Sequence, residues 1–327
     1  MPDSPKQKIY DISTVQEILA GQKYEIGGNA AALSFGDART LDEAGPRSLV
    51  WIGAAGNDAV ALMRRTAART VVCRAAVEIP PALLAEKCFI RSDNPKLIFS
   101  LLVGALFAAR PQGEIHPTAF VHPEAELAPD VYVGPFSYVG KCRIGAGSLI
   151  WGHCYLYDGT LLGKNVEIHA GCIIGDDGSG YAKNEQGEWI KFPHIGNTIL
   201  EDNVEVGANT YINKGALGST VIKKGAKIGN AVCIGHNVVV EENAIVIANT
   251  LVSGSSKVGR GAYIAPSVVI RNKLTIGANA TVGMGAVVLK DVPENTTVIG
   301  NPAESLAEFR RWSKLKKLLF KKFGKTE

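Results

Sequence analysis

The sequence has little that would tie it to a membrane, a metal or a nucleic acid. Its longest apolar run, residues 97–109, is shorter than the ~20 residues that span a bilayer. Residues 1–10 are polar and lack the apolar core of a secretory leader, so the protein is expected in the cytoplasm. The six cysteines (Cys73, Cys88, Cys142, Cys154, Cys172 and Cys233) contain no CxxC pair. In a chain of this kind they are expected to be small buried hydrophobes, not disulfides or zinc ligands. Helix-turn-helix and zinc-finger spacings are missing. The formal charge of +4 does not come from a basic body, because residues 303–327 hold eight Lys/Arg against three Asp/Glu and leave the remainder near −1. A nucleic-acid partner is therefore not expected.

What the sequence has in quantity is glycine, 36 residues in 327, and the reason is a repeat. From Ile115 the chain advances in sixes, each unit led by an aliphatic residue: Ile115, Val121, Leu127, Val133 and Val139, then, after a one-residue slip, Ile144 through Ile174. From Ile222 to Val288 every sixth residue is aliphatic, twelve in succession. Hexapeptide periods of this length indicate a β-solenoid. Each hexad is one short strand and a corner, three hexads close an 18-residue triangular coil, and coils stack at about 4.8 Å. The fold class is mainly β: a left-handed parallel β-helix over residues 113–302, with a small α/β domain before it (1–112) and a basic amphipathic helix after it (303–327).

In the first domain, Ser13-Thr14-Val15-Gln16 predicts a capping box opening a helix that Gly21 ends. Leu49-Val50-Trp51-Ile52 and Thr70-Val71-Val72-Cys73 predict buried strands, and Asn94-Pro95 opens a second helix. Two segments interrupt the solenoid. Residues 175–196 form an ejected loop carrying a hairpin, with Tyr181 to Lys183 facing Trp189 to Phe192. Residues 216–220 form a bulged corner. In the tail, Leu306, Phe309, Trp312, Leu315, Leu319 and Phe323 fall at spacings of three and four. That helix is expected to pack at the end of a homotrimer. A peripheral membrane contact or an acidic partner is the alternative.

A solenoid offers few bases active at neutral pH, and histidine is the natural one. His116 and His122 sit beside prolines in the first coils as structural edge residues, and His194 lies in the ejected loop. His236, in Ile234-Gly235-His236-Asn237-Val238, occupies the third place of a hexad, at a corner facing outward. Asn272 lies on the same edge two coils away, about 10 Å along the axis, with Lys273 next to it. Asn230 takes the equivalent place one hexad earlier. Residues His153, His169 and His236 lack a regular coil spacing, so a zinc enzyme on this scaffold is disfavoured. A non-catalytic trimeric scaffold is the bland alternative.

Several motifs together resemble the UDP-3-O-acylglucosamine N-acyltransferases (the LpxD family) over residues 9–302. They are Asp177-Gly178-Ser179-Gly180-Tyr181-Ala182, Trp189-Ile190-Lys191, Gly207-Ala208-Asn209-Thr210, Gly215-Ala216-Leu217 and Ile234-Gly235-His236-Asn237. The resemblance implies a general-base role for His236 on the 2-amine of a UDP-linked amino sugar, with no bound cofactor and an acyl thioester as cosubstrate. Asn230, Asn237, Tyr181, Asn272, Lys273 and Trp51 are the candidate substrate contacts. The sequence departs from the family where a second histidine aligns with Lys273, and where Asp-Arg-Gly-Ala-Leu-Asp-Asp reads Asn213-Lys214-Gly215-Ala216-Leu217-Gly218-Ser219. The last coils, with Gly283, Gly285 and Lys290, instead resemble hexapeptide acetyltransferases that use acetyl-coenzyme A, where this segment lines the donor channel. Acyl carrier protein and coenzyme A thus both stand as carriers of the donor.

Overall fold

The structure, a computed structural model, describes residues 8–300 and 306–323. It divides into two compact units, Met1–Arg110 and Pro111–Glu327.

The first unit is a five-stranded sheet of β1 (Glu25–Gly28), β2 (Asp37–Ala38), β3 (Ser48–Ile52), β4 (Thr70–Arg74) and β5 (Cys88–Ser92), in the order β1-β5-β4-β3-β2. Only β1 runs antiparallel to its neighbour. Both predicted strands and the helix opened by Asn94 are present: the Asn94 side-chain oxygen accepts from the Leu97 amide and Pro95 takes the first helical position. The first helix, Ile12–Ile18, begins two residues earlier than the capping box requires. Its cap is Asp11, whose carboxylate accepts from the Thr14 amide and from the Ser13 hydroxyl. A charged acceptor at a helix N-terminus binds the free amides more strongly than a hydroxyl does, which explains the shift.

The second unit is the solenoid. Strands of two to four residues build three parallel sheets. One runs from Glu126–Leu127 to Thr275–Ile276, a second from Tyr132–Val133 to Thr297–Val298, and a third from Phe120–Val121 to Val287–Val288. The aliphatic residue that leads each hexad points inward, and from Val133 to Val282 these side chains are 5% exposed or less. Ile115, which leads the first hexad, is 49% exposed because only one neighbouring rung, at Val133, packs on it.

Glycine is not the main means of turning corners. In the first eleven hexads of the unbroken run the fourth place adopts positive φ, filled by Gly225, Ala231, Asn237, Asn243, Asn249, Ser255, Gly261, Ser267, Lys273, Asn279 and Gly285. Asparagine tolerates that conformation better than other non-glycine residues, and it is the commonest occupant. The corner thus accounts for Asn237 and Gly285 on backbone grounds alone.

The outward positions of the third sheet form a continuous apolar ladder. In register they are Phe120, Tyr138, Tyr155, Ile173, Tyr211, Cys233, Leu251, Val269 and Val287. The two other faces carry charged rungs such as Glu126, Arg143, Glu205, Lys227 and Lys257. Near its start the ladder is a ring stack, Phe120 on Tyr138 on Tyr155, with centroids 5.0 and 4.4 Å apart.

The ejected loop contains the expected hairpin, Tyr181–Lys183 paired antiparallel with Trp189–Lys191. Residues 216–220 are more than a bulge, because the returning loop lies on them. Amides of Ile195, Gly196 and Asn197 donate to the carbonyls of Ala216, Gly215 and Gly218. A Cβ on Gly196 would stand 2.0 Å from the Gly218 oxygen, so that crossing admits only glycine.

The tail helix spans Leu306–Phe323. The predicted residues 303–305 and 324–327 lie outside the described ones. Trp312, Leu315 and Leu319 are exposed on it, alongside Lys314, Lys317 and Lys321. Among the described residues, no helix is long and apolar enough to cross a membrane.

Candidate functional site around His236

The leading residues Ile234, Val252 and Ile270 pair in register on successive coils of the third sheet. The residues just after them therefore stack as well: Gly235, Ser253 and Arg271 in one column, His236, Gly254 and Asn272 in the next. Both columns open onto a cleft of about 590 Å³, closed on another side by Asp176, Asp177 and Ser179 of the ejected loop and floored by Ile173, Tyr211, Cys233 and Leu251. His236 is half-buried in it. The solenoid supplies the spacing, and the loop supplies the wall.

The hydrogen bonds of Asn237 determine which nitrogen of His236 is free. The Asn237 side-chain nitrogen, Nδ2, donates to the Leu217 carbonyl at 2.7 Å, and its Oδ1 accepts from the Ala216 amide at 2.9 Å, so backbone groups on both sides identify the oxygen. Nδ1 of His236 lies 3.0 Å from that oxygen and must donate to it. Nε2 then carries the lone pair, in a ring that lines the cleft. That is the form a general base needs.

Space for the ring is made by glycines. A Cβ on Gly254 would stand 2.6 Å from Nε2 of His236, and one on Gly178 would stand 3.1 Å from Cδ2.

The wall is held by charge. The Asp177 carboxylate bonds Lys191 of the hairpin at 2.6 Å and Lys214 of the coil at 2.8 Å. The hydrogen bonds from these two lysines bring its pKa down to about 2. Asn213 and Lys214, the residues that depart from the family pattern, also bond the loop backbone. The Asn213 side chain donates to the Asp177 carbonyl, and the Lys214 amide donates to the Asp176 carbonyl.

On the floor, the hydrogen bond between the Tyr211 hydroxyl and the Cys233 sulfur raises the phenol to about 12, with burial adding to it. Burial raises the Cys233 thiol, against the lowering effect of that bond. Cys233 is half-buried and lines the cleft, unlike the other five cysteines, which are buried as expected.

Of the residues singled out from the sequence, His236 and Asn272 line this cleft and Asn237 bonds the His236 ring. Lys273 is exposed at its left-handed corner, beside the lining residues. Asn230 belongs to a different edge of the prism, where its Oδ1 accepts from the Ala208 amide and ties two coils together. Tyr181 is exposed on the hairpin. Trp51, in the first unit, is 37% exposed with its ring 6.3 Å from Phe99. Gly283 leaves room for Ile299, Gly285 turns a corner, and Lys290 is exposed.

Sequence reasoning missed Arg271, Ser253, Tyr211 and Cys233. The signal was available for Arg271, since the 18-residue coil repeat places it two rungs above Gly235. His116 and His122 bond the turns that follow them, through Thr118 and Glu124. Among the described residues no group of three His, Cys, Asp or Glu side chains is placed to hold a metal ion.

No family model matches the chain. Among curated proteins it is similar to the UDP-3-O-acylglucosamine N-acyltransferase of Helicobacter pylori, 52% identical over 82 residues (25% of this chain, 24% of the relative). The protein of that name from Polynucleobacter asymbioticus is 44% identical over 101 residues (30% and 28%). The match thus spans about a quarter of the length of these relatives. Among solved structures, LpxA of Acinetobacter baumannii superposes with a TM-score of 0.51 at 25% identity, covering 61% of this chain and 77% of that one. The UDP-N-acetylglucosamine O-acyltransferase of Moraxella catarrhalis gives 0.52 at 24%, covering 62% and 81%. The chain is therefore a left-handed β-helix of the LpxA type, and its sequence relatives are the UDP-3-O-acylglucosamine N-acyltransferases.

Proposed function

We propose that the chain is an N-acyltransferase that moves an acyl group from an acyl thioester onto the amine of a UDP-linked amino sugar, with His236 as general base. The observation that carries this reading is His236 itself: a half-buried imidazole in a cleft, its Nδ1–H donated to Asn237 and its Nε2 left as the acceptor. The amine nitrogen attacks the thioester carbonyl and the C–N bond forms. Nε2 takes the ammonium proton as the tetrahedral intermediate develops. The C–S bond then breaks, and the same imidazolium returns the proton to the leaving thiolate. Arg271 and Asn272, two coils above, are suited to the developing oxyanion or to a phosphate of the substrate. Lys273 and Tyr181 are further candidate contacts.

The apolar ladder of the third face supports assembly as a homotrimer, since an exposed stripe of that length is a surface for association. The cleft at its edge would then lie beside a neighbouring subunit. The donor end is assigned to the last coils, where Met284, Leu289 and Ile299 stand exposed near Gly283, Gly285 and Lys290. The acyl carrier is acyl carrier protein or coenzyme A, and the reaction takes place in the cytoplasm. The tail helix is a candidate for contact with an acidic carrier or a membrane surface.

The test is to incubate the protein with acetyl-coenzyme A, longer acyl-coenzyme A or acyl carrier protein thioesters and UDP-linked amino sugars, and to read the product mass. His236→Ala is expected to lower turnover by about 10²–10⁴-fold, the range of a lost general base. Unchanged turnover in that variant, or no mass increment with any pair, overturns the reading.

A further inference from the structure

His194 returns from the ejected loop and is 5% exposed. Its ring meets that of His236 at a centroid distance of 5.2 Å, with the planes 75° apart. Nδ1 of His194 lies 2.9 Å from the Phe192 carbonyl. A carbonyl only accepts, so Nδ1 carries the proton and Nε2 is bare. That Nε2 is buried and has no hydrogen-bond partner.

A buried nitrogen without a partner is a standing cost that a phenyl ring of similar shape would not incur. The loop is nevertheless cut to keep the ring in place. A Cβ on Gly178 would stand 2.8 Å from Nε2 of His194, and one on Gly180 would stand 3.1 Å from its Cε1. Packing alone does not explain a polar ring here. A partner that exists only during the reaction does.

His236 becomes an imidazolium when it takes the amine proton. The charged groups facing it from the cleft are Asp176, Asp177 and Arg271, and Asp177 is already engaged by Lys191 and Lys214. Tyr211 and Cys233 face it as neutral groups, and Asn237 takes only its Nδ1–H. The ring in contact with it is that of His194, whose Nε2 has no hydrogen-bond partner.

We propose that His194 is a positioning residue of the acyl-transfer site, holding the His236 ring edge to face and stabilising the positive charge that ring acquires. This rests on the general-base reading of His236.

The test uses the full chain and the acyl donor and sugar that give turnover. His194→Phe keeps the ring shape and removes the lone pair. It is expected to lower kcat by about tenfold with both KM values unchanged, and His194→Gln, which restores an acceptor, to recover part of that loss. Full kcat in His194→Phe, with His236→Ala inactive in the same assay, overturns this inference alone. An active His236→Ala overturns the general-base reading beneath it. Should His194→Phe fail to fold, His194→Leu, which also lacks the acceptor, takes its place, with the same loss of kcat expected and full kcat overturning the proposal.

Discussion

The imidazole of His236 lies against Gly254 of the next coil, so close that a Cβ there would stand 2.6 Å from Nε2, 2.8 Å from Cε1 and 2.9 Å from Cδ2. Gly254 is not in the left-handed region, so its lack of a side chain makes room for the ring and has no conformational purpose. Gly254→Ala should leave the solenoid folded, because the inward rungs on either side, Val252 and Ile270, are untouched. The methyl group would push the ring out of its place and turnover should fall about 100-fold, toward the value without a base. Steady-state kinetics beside a far-ultraviolet circular dichroism spectrum checks both halves.

Asn237 does two jobs that a pair of substitutions separates. Its backbone turns a corner at φ 59°, and its side chain bonds His236, Ala216 and Leu217. Asn237→Ala loses the side chain and also places alanine in the left-handed region, at roughly 1–2 kcal/mol. Asn237→Gly loses the same bonds without that strain. Thermal unfolding should therefore rank wild type above Asn237→Gly and Asn237→Gly above Asn237→Ala. The two variants should lose a similar factor in kcat, because each frees His236 to take the other tautomer.

The period of six made the solenoid legible, because one inward aliphatic per strand and one corner per strand leave no other way to bury a dozen regular rungs. His236 was legible for the same reason: an imidazole at a hexad's third place must point out of the prism. His194 was not. It lies in a segment with no period, and its approach to His236 depends on the loop folding back over residues 215–218, which no local pattern encodes. Asp11 was passed over for Ser13 because both residues precede the same apolar face, and only the geometry of the first turn chooses between them. Arg271 is reachable only through the 18-residue repeat, which stacks it above Gly235 and Ser253, because an arginine on an outward rung is by itself an ordinary solvated residue.

The anchor at Asp177 sets a pH window. Its folded-state pKa is held at about 2, below the ordinary 3.8, by the bonds to Lys191 and Lys214. A carboxylate depressed on folding contributes stability that is fully present above its unfolded value and lost as pH falls through the folded one. The loop should thus stay pinned above about pH 4 and loosen between about 4 and 2. Hydrogen exchange of residues 177–191 should rise across that interval while the amides around Ile264 stay protected. Asp177→Asn should show the raised exchange already at neutral pH.

The apolar ladder offers a last test, which bears on assembly and leaves the base untouched. Val269 stands outward on the third face, 39% exposed, in register between Leu251 and Val287. It does not line the cleft that holds His236. Val269→Asp changes nothing inside the coil, where Ile270 is the buried neighbour, so an isolated chain should unfold at nearly the wild-type temperature. If three copies pack these faces together, the substitution buries a charge without a partner in each interface, which association does not tolerate. Sedimentation velocity should then show a trimer for the wild-type protein and a monomer for the variant, with turnover reduced because the cleft has lost its second wall. A wild-type chain that sediments as a monomer would place the whole reaction on one prism.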